Sequence, residues 1–270
     1  MARLRARLLW LDGIVGLTAV FLIAPSVVVV VMSFSSGYLM TFPPPGFGIE
    51  WYRNFFASSR WTDSTVTSLN IAVVSTVLAT ALGTLCAFGF DRGHPRAGGA
   101  IIGLILSPLI VPVVITAIGM FMTYQKLGVG SYVGLVAAHT VMGIPYVFIT
   151  VWAALREIDP DLDLAAANLG ANPARAFLKV TVPLILPSIL IGAIFAFASS
   201  WDEVVIAIFL ATPQMRTLPV TMWEETRQSV DPTIAAASSM LTAATLLILL
   251  LVLVFRRTPA GNPSTAPAQG

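Results

Sequence analysis

Two adjacent acidic residues, Asp202 and Glu203, are the side chains in this sequence best suited to bind a cation. They are the only acidic residues in the apolar stretch 184–210. Ser199 lies about one helical turn before Asp202 and shares its face, and Trp201 can offer a ring face to an ammonium group. We therefore predict that Asp202, together with Ser199 and Trp201, meets a cation.

The elements that must position these residues are membrane-spanning helices. Of the 270 residues, 57% are hydrophobic and 10% are charged, with a mean hydropathy of +0.87. Soluble domains carry about a quarter charged residues, and a helix needs about 20 apolar residues to cross a bilayer. The composition predicts an all-α membrane protein whose six transmembrane helices cover residues 11–34, 69–90, 101–124, 132–155, 184–210 and 234–255.

Basic residues set the expected orientation. With the N-terminus inside, the inner segments hold ten of the 15 lysines and arginines and the outer segments hold five. The positive-inside rule then favours cytoplasmic termini. We expect residues 1–10 to form a cytoplasmic N-terminus and residues 11–257 a six-span domain. The small, polar, proline-rich residues 258–270 are expected to be a disordered cytoplasmic tail.

The position of the acidic pair leaves two further roles open. Asp202 lies 18 residues after Leu184, about 27 Å along a helix, which places it toward the outer side of its span. An ionised carboxylate at mid-bilayer costs about 2.5–3.5 kcal/mol, and nearer the surface it costs less. The pair can therefore also be an acidic cap at the water interface or a salt-bridge partner of another subunit. Because adjacent helical residues lie about 100° apart, we expect only one of the two to point inward.

The remaining polar residues suggest no reaction chemistry. His139 stands alone in the fourth predicted span, with no second ligand spaced for a metal, so we expect a packed, hydrogen-bonded side chain. For Glu224 and Glu225, in an outer loop, we favour a solvated pair over one that receives a ligand or binds a partner protein. The net charge of +2 is too small to indicate nucleic acid. No Walker phosphate loop occurs, so we predict no ATP hydrolysis by this chain, no cofactor and no metal.

Glycine and proline residues are expected to interrupt two spans. Pro108 and Pro112 fall in the third predicted span, and Gly143 and Pro145 fall in the fourth. Interrupted spans are common in transporters, because freed carbonyl groups can line a path. For any one of these prolines we favour the alternative over a lined path: a simple kink packed against neighbouring helices.

A short polar segment separates the fourth and fifth spans: "LDLAAANLGANPARAFLKVTVPLILP", residues 162–187. Pro160 can begin a helix, because the N–H that it lacks is not needed there. Gly170 can close that helix in a left-handed conformation, and a second helical piece starts near Pro173. Two short helices at an angle form a rigid knob that can dock into a cleft on another protein. The alternative is a linker that merely joins two spans.

The spacing in this segment resembles the signature loop of binding-protein-dependent ABC importer permeases. That pattern is Glu-Ala-Ala, three residues, Gly, nine residues, an aliphatic residue, one more residue, an aliphatic residue and Pro. It falls here on Leu164, Ala165, Ala166, Gly170, Val180, Val182 and Pro183. Leu164 replaces the motif glutamate, and Asp163 precedes it. The resemblance implies the type I ABC importer permease fold, with these residues in a coupling loop over about residues 156–183. The helices of that loop are expected to sit in a groove of a cytoplasmic ATPase.

The second half of the chain is similar to the spermidine/putrescine importer permeases, in their second-subunit branch. The similarity rests on "SSWDEVVIAIFLATP" and "TLPVTMWEETRQSVDPTIAAASSMLTAATLL". It implies a bacterial inner-membrane subunit that forms a heterodimer with a second permease. It also implies two copies of a cytoplasmic ATP-binding subunit and an external solute-binding protein that delivers polyamines. Open alternatives are another amine-like or amino-acid-like cargo (γ-aminobutyrate, an opine or an aminophosphonate) and a secondary transporter or channel working alone.

Overall fold

The computed structural model describes residues 2–93, 95–159, 161–228 and 231–256, which are mostly helical. Within these ranges the only strand-like pairings are two isolated bridges, Ser35 with Phe47 and Thr212 with Met215. The predicted all-α fold is therefore confirmed. The predicted tail 258–270 and the predicted helix start at Pro160 lie outside the described residues.

The helices are named α1 to α12 in chain order. They are α1 (Ala2–Ser33), α2 (Glu50–Ala57), α3 (Ser59–Gly93), α4 (Gly98–Ile110), α5 (Val113–Leu127), α6 (Ser131–Leu155), α7 (Asp161–Asn168), α8 (Pro173–Ala176), α9 (Val182–Trp201), α10 (Val205–Leu210), α11 (Leu218–Gln228) and α12 (Thr233–Arg256). A π-helical turn, Phe177–Thr181, joins α8 to α9.

The long apolar helices coincide with the predicted spans. Four are long and apolar enough to cross a membrane: Asp12–Ser33 within α1, then α3, α6 and the continuous helix Pro173–Trp201. Helices α4 and α5 make a fifth span if they are taken together across their 100° bend. Helix α12 covers the sixth predicted stretch, and its described apolar part is Thr233–Ile248. Helices are required here, because inside lipid every backbone polar group needs a partner within the protein.

The third predicted span is broken at one proline and continuous at the other. Helix α4 ends at Ile110, and Val111 has an extended backbone with φ −72° and ψ 134°. The ring of Pro112 disfavours the helical conformation for the residue before it, which explains the break. Pro108 lies inside α4 without ending it. The predicted interruption is therefore confirmed at Pro112 and wrong at Pro108.

The fourth predicted span has no interruption. Helix α6 runs unbroken from Ser131 to Leu155, through both Gly143 and Pro145, so the predicted interruption is wrong. Gly143 instead permits a close helix approach. A Cβ added there would lie 2.9 Å from Ala79 Cβ and 3.2 Å from Ala196 Cβ.

The described residues fall into two compact units. Among the described residues, the first comprises 2–66, 217–228 and 231–245, and the second comprises 67–93, 95–159, 161–216 and 246–256. In the first unit the Tyr52 hydroxyl lies 2.7 Å from the Oγ atoms of both Ser33 and Ser239, which joins α2 to α1 and α12. The core of this unit contains Phe55, Trp61, Leu218 and Ala237.

An ion-pair cluster in the first unit corrects the expectation for the outer-loop glutamates. Arg60 Nη2 lies 3.0 Å from Glu224 Oε2, and Arg60 Nη1 lies 2.9 Å from Glu225 Oε1. The Glu225 side chain is only 13% exposed. These carboxylates are paired with a guanidinium, and they are not the solvated pair that we predicted.

The second unit is built on the close packing of α6 against α9 and α3. A Cβ added to Gly192 would lie 2.9 Å from Val147 Cα, and one added to Gly83 would lie 2.7 Å from Val147 Cβ. Between helices in lipid, such packing of small residues replaces the hydrophobic effect as the force for association. The buried core of this unit comprises Ala79, Ala87, Val147, Phe148, Val151, Leu155, Ile185 and Ala196.

Gly143→Val is expected to destabilise the protein, because the new side chain overpacks the contact with Ala79 and Ala196. Overpacking of this kind costs about 1–3 kcal/mol. Thermal unfolding of the detergent-solubilised protein measures the effect. Gly89→Val is the matched control, since Gly89 lies inside α3 with nothing within 4 Å of an added Cβ. Equal Tm shifts for the two variants would contradict the close approach.

Candidate functional site

The acidic pair lies at a break in the fifth predicted span. Helix α9 ends at Trp201, and Asp202 follows it with φ −102° and ψ 5°. Helix α10 begins only at Val205. The prediction of one helix over residues 184–210 is therefore wrong near its C-terminal end. A break inside an apolar stretch must satisfy the free N–H groups of the next helix, and the structure shows how this is done.

The carboxylate of Glu203 accepts two backbone hydrogen bonds at the start of α10. The Ile206 N–H donates to Oε1 at 2.8 Å, and the Ala207 N–H donates to Oε2 at 3.0 Å. The Glu203 side chain is only 10% exposed, whereas Asp202 is exposed. The pair thus has two environments, one carboxylate enclosed by protein and the other open.

A buried chain of polar side chains reaches the same break from α6 and α3. His139 Nδ1 lies 2.7 Å from Ser200 Oγ, which lies 3.2 Å from Ser75 Oγ. His139 Nε2 lies 3.8 Å from Glu203 Oε2. His139 is 3% exposed, so the prediction of a packed, hydrogen-bonded histidine is confirmed. Its contacts with Ser200 and Glu203 could not be found from the sequence, because no spacing rule relates residues so far apart.

The other two residues predicted to meet a cation flank the end of α9. Ser199 is half-buried on the last turn. Trp201 is 7% exposed, and its ring stacks on Phe197 with centroids 5.9 Å apart and planes inclined by 16°. Asp202 is therefore the exposed member of the predicted group, and it sits beside a largely enclosed indole. Among the described residues, no three His, Cys, Asp or Glu side chains are grouped so that they could hold a metal ion.

The polar segment before the fifth span begins with the predicted short helix and turn. Helix α7 ends at Asn168, and Gly170 has φ +82°. The Gly170 N–H donates to Ala167 O at 2.9 Å, and the Ala171 N–H donates to Ala166 O at 3.0 Å. The left-handed closure at Gly170 is therefore confirmed, and it satisfies carbonyl groups that the helix end would leave free. The side chains of Asp163 and Leu164 lie outside the described residues.

The second helical piece is the start of a long helix. Asn172 Oδ1 accepts the Arg175 N–H at 2.8 Å, and Pro173 opens α8, as predicted. Helix α8 then continues through the π turn into α9, so that Pro173–Trp201 forms one helix of 29 residues. The prediction of two separate short helices is therefore wrong for the second. The π turn ends at Thr181, two residues before Pro183, whose missing N–H removes a regular helical hydrogen bond.

This coupling segment, residues 161–183, has an anchored face and an open face. Phe177 packs on Phe88 of α3 with ring centroids 4.3 Å apart, and Ala166, Ala176 and Thr181 are buried. On the open side, Leu169 is 89% exposed and Leu178 is 63% exposed. The described side chains of Arg175 and Lys179 are also exposed. An anchored element that exposes large apolar side chains has the form of a docking surface.

Comparison with known proteins shows the family of the chain. Residues 79–258 match the family model described as binding-protein-dependent transport system inner membrane component. The chain is 32% identical over 235 residues to the putrescine transport system permease protein PotI of Escherichia coli strain K12, covering 84% of this chain and 83% of the relative. It is 27% identical over 217 residues to the spermidine/putrescine transport system permease protein PotC of the same strain, covering 80% and 82%.

The fold is also similar to that of a solved transporter. The structure of a bacterial alginate ABC transporter in complex with an alginate pentasaccharide-bound periplasmic protein aligns with a TM-score of 0.67. The sequences are 16% identical, and the alignment covers 93% of each chain. At that identity the likeness concerns the fold alone. The family match covers the coupling segment and the acidic break alike, and the chain belongs to the binding-protein-dependent transport system inner membrane components, the permeases of ABC importers.

Proposed function

We propose that this chain is a transmembrane permease subunit of an ATP-driven importer of polyamines in a bacterial inner membrane. The observation that carries the proposal is the 32% identity, over 84% of the chain, to a permease named for putrescine transport. A second relative is named for both spermidine and putrescine. The exposed carboxylate of Asp202 supplies the negative charge that a cargo carrying ammonium groups requires.

The proposed assembly contains three other kinds of subunit. A second, different permease encloses the path with this chain, two copies of an ATP-binding subunit drive it, and an external solute-binding protein delivers the cargo. The family description itself refers to a binding protein, and the alginate transporter of similar fold was solved with its periplasmic protein. The excess of basic residues in the predicted inner segments supports cytoplasmic termini and a cytoplasmic coupling segment.

In this proposal the coupling segment docks into the ATP-binding subunit. Leu169 and Leu178 supply apolar contacts, and Arg175 and Lys179 supply charge at the rim. Helix Pro173–Trp201 then carries the motion of the ATPase to the break at Asp202, over about 43 Å at 1.5 Å per residue. ATP and cargo drive the cycle because each binds one conformation of the assembly more tightly than the other.

The cargo contact is proposed at the end of α9. Asp202 receives a protonated amine, while Ser199 and the enclosed ring of Trp201 border the place where that amine sits. A charge-assisted hydrogen bond to a carboxylate is roughly twice as strong as a neutral one, so this single contact favours cationic cargo over neutral cargo.

Gly170→Ala is expected to weaken the coupling of ATP hydrolysis to transport. The left-handed backbone at φ +82° costs an L-residue roughly 1–2 kcal/mol, which shifts the coupling segment. The ratio of putrescine imported to ATP hydrolysed, measured with the complete complex in liposomes, is expected to fall. Gly128→Ala is the matched control, because Gly128 has φ +65° and similarly open surroundings at the end of α5. An equal fall in both variants would contradict a special role of the coupling segment.

The wild-type complex is expected to import labelled putrescine only when ATP is present, and Asp202→Asn is expected to lower the initial rate by about fivefold. That loss corresponds to about 1 kcal/mol, the upper end of the range for an exposed ion pair. Asp63→Asn, at an exposed position of α3, serves as the control.

Two results of the uptake measurement would overturn the proposal. Flux that needs no ATP would indicate a stand-alone transporter or channel. ATP-driven uptake of γ-aminobutyrate in preference to putrescine would assign a different cargo to the same machinery.

A further inference from the structure

The start of α10 is held by a side chain instead of by the preceding turn of helix. In an unbroken helix the N–H groups of Ile206 and Ala207 would bond to the carbonyl oxygens of Asp202 and Glu203. Here both N–H groups donate to the Glu203 carboxylate, at 2.8 and 3.0 Å. The first regular helical bond is the one from the Ile208 N–H to Val204 O, at 2.9 Å. The carboxylate of Glu203 therefore takes the place of two backbone acceptors.

The replacement of two backbone acceptors by the Glu203 carboxylate determines whether the helix is broken or straight. The residues that follow the break, 204–210, are apolar and helix-compatible, so continuation of α9 through Leu210 is the competing conformation. Without an acceptor at Glu203, the two N–H groups would be unsatisfied in a largely buried place unless the helix straightened. Val204, which directly precedes α10, has an aliphatic side chain that cannot accept a hydrogen bond.

The surroundings of Glu203 leave it poorly placed to serve cargo. Each oxygen already accepts a backbone N–H, and the imidazole of His139 lies beside the carboxylate with Nε2 3.8 Å from Oε2. His139 is itself fixed through Nδ1 to Ser200 Oγ on the last turn of α9, and Ser200 is fixed to Ser75 of α3. The two sides of the break are thus tied to α6 and α3 around the enclosed carboxylate.

We propose that Glu203 is a positioning residue. It caps the start of α10, next to His139, and so keeps the neighbouring Asp202 exposed to the cargo. The inference deepens the proposed function and rests on it. It assigns different tasks to two adjacent carboxylates, charge to Asp202 and hydrogen-bond acceptance to Glu203. The two residues are therefore expected to respond differently when each is made neutral.

The test compares two neutral replacements of Glu203 in the complete transporter in liposomes. Glu203→Gln removes the charge but keeps an acceptor oxygen at the same reach, and Glu203→Ala removes both. With saturating putrescine-loaded binding protein, the alanine variant is expected to lose maximal uptake rate by about fivefold, the effect of losing one helix cap. The glutamine variant is expected to retain more of the rate than the alanine variant. The concentration of loaded protein at half-maximal rate should change little in either.

Two results would overturn the inference. Equal loss in the glutamine and alanine variants, with a raised half-maximal concentration, would make the charge of Glu203 a cargo contact. Wild-type behaviour of the alanine variant would show that the cap has no role in transport. If the alanine variant fails to assemble, the glutamine variant alone tests the inference. A raised concentration of loaded binding protein at half-maximal rate would refute the inference, and an unchanged one would support it. Uptake by the wild type and by Asp202→Asn tests the proposed function separately.

Discussion

Helices α6 and α9 approach each other so closely that side chains do not fit at the points of contact. A Cβ on Gly192 would lie 2.9 Å from Val147 Cα, and one on Gly143 would lie 3.2 Å from Ala196 Cβ. Contacts this short interlock the two helices, so one cannot slide along the other without a steric clash. Everything proposed for this chain depends on that constraint, because helix Pro173–Trp201 begins in the coupling segment and ends at the acidic break. A loosely packed helix would absorb a displacement at one end instead of passing it to the other.

The break at the far end of this helix follows from a different constraint, the need to satisfy backbone groups where water is scarce. Glu203 supplies two acceptors in a mostly enclosed place, and it thereby permits a turn that exposes Asp202. His139 on α6 contacts both Glu203 in this turn and Ser200 on α9, so the turn is attached to the two closely packed helices. The site thus combines a rigid support with one exposed charge. This combination suits a path in which cargo must bind and leave again, since a single exposed ion pair is worth no more than about 1 kcal/mol.

Part of this structure is encoded locally and could be predicted from the sequence. The apolar runs predicted where the long helices lie, and the spacing Gly170 then Pro173 predicted the turn between two helical pieces, because glycine accepts the left-handed conformation that ends a helix. The family motif in the same segment could also be recognised, because it is a spacing of residues along the chain. The length of an apolar run and the glycine and proline residues that end or begin a helix are local features of the sequence. Tertiary contacts do not change these two features here.

The incorrect predictions have two causes. Some features depend on contacts between residues that are distant in the sequence, and some residue types can serve either of two structural roles. Gly143 suggested an interruption but serves a close approach to Ala79, and the sequence cannot distinguish the two uses. The residues after Glu203 form an apolar run compatible with a continuous helix, so the break depends on a side-chain cap and on a histidine 61 positions from its serine partner. The second helical piece was predicted to be short, whereas the π turn continues it into α9 as one helix, Pro173–Trp201.

The most direct test of the account is a crosslink from the coupling segment in the complete transporter. Leu178→Cys, made after replacing the exposed native Cys86 with serine, would carry a photoactivatable crosslinker, and Leu104→Cys on α4 would be the exposed control. The account predicts that the label at position 178 captures the ATP-hydrolysing subunit, with a yield that changes when ATP binds. Capture no greater than that of the control, while ATP-driven uptake continues, would contradict it.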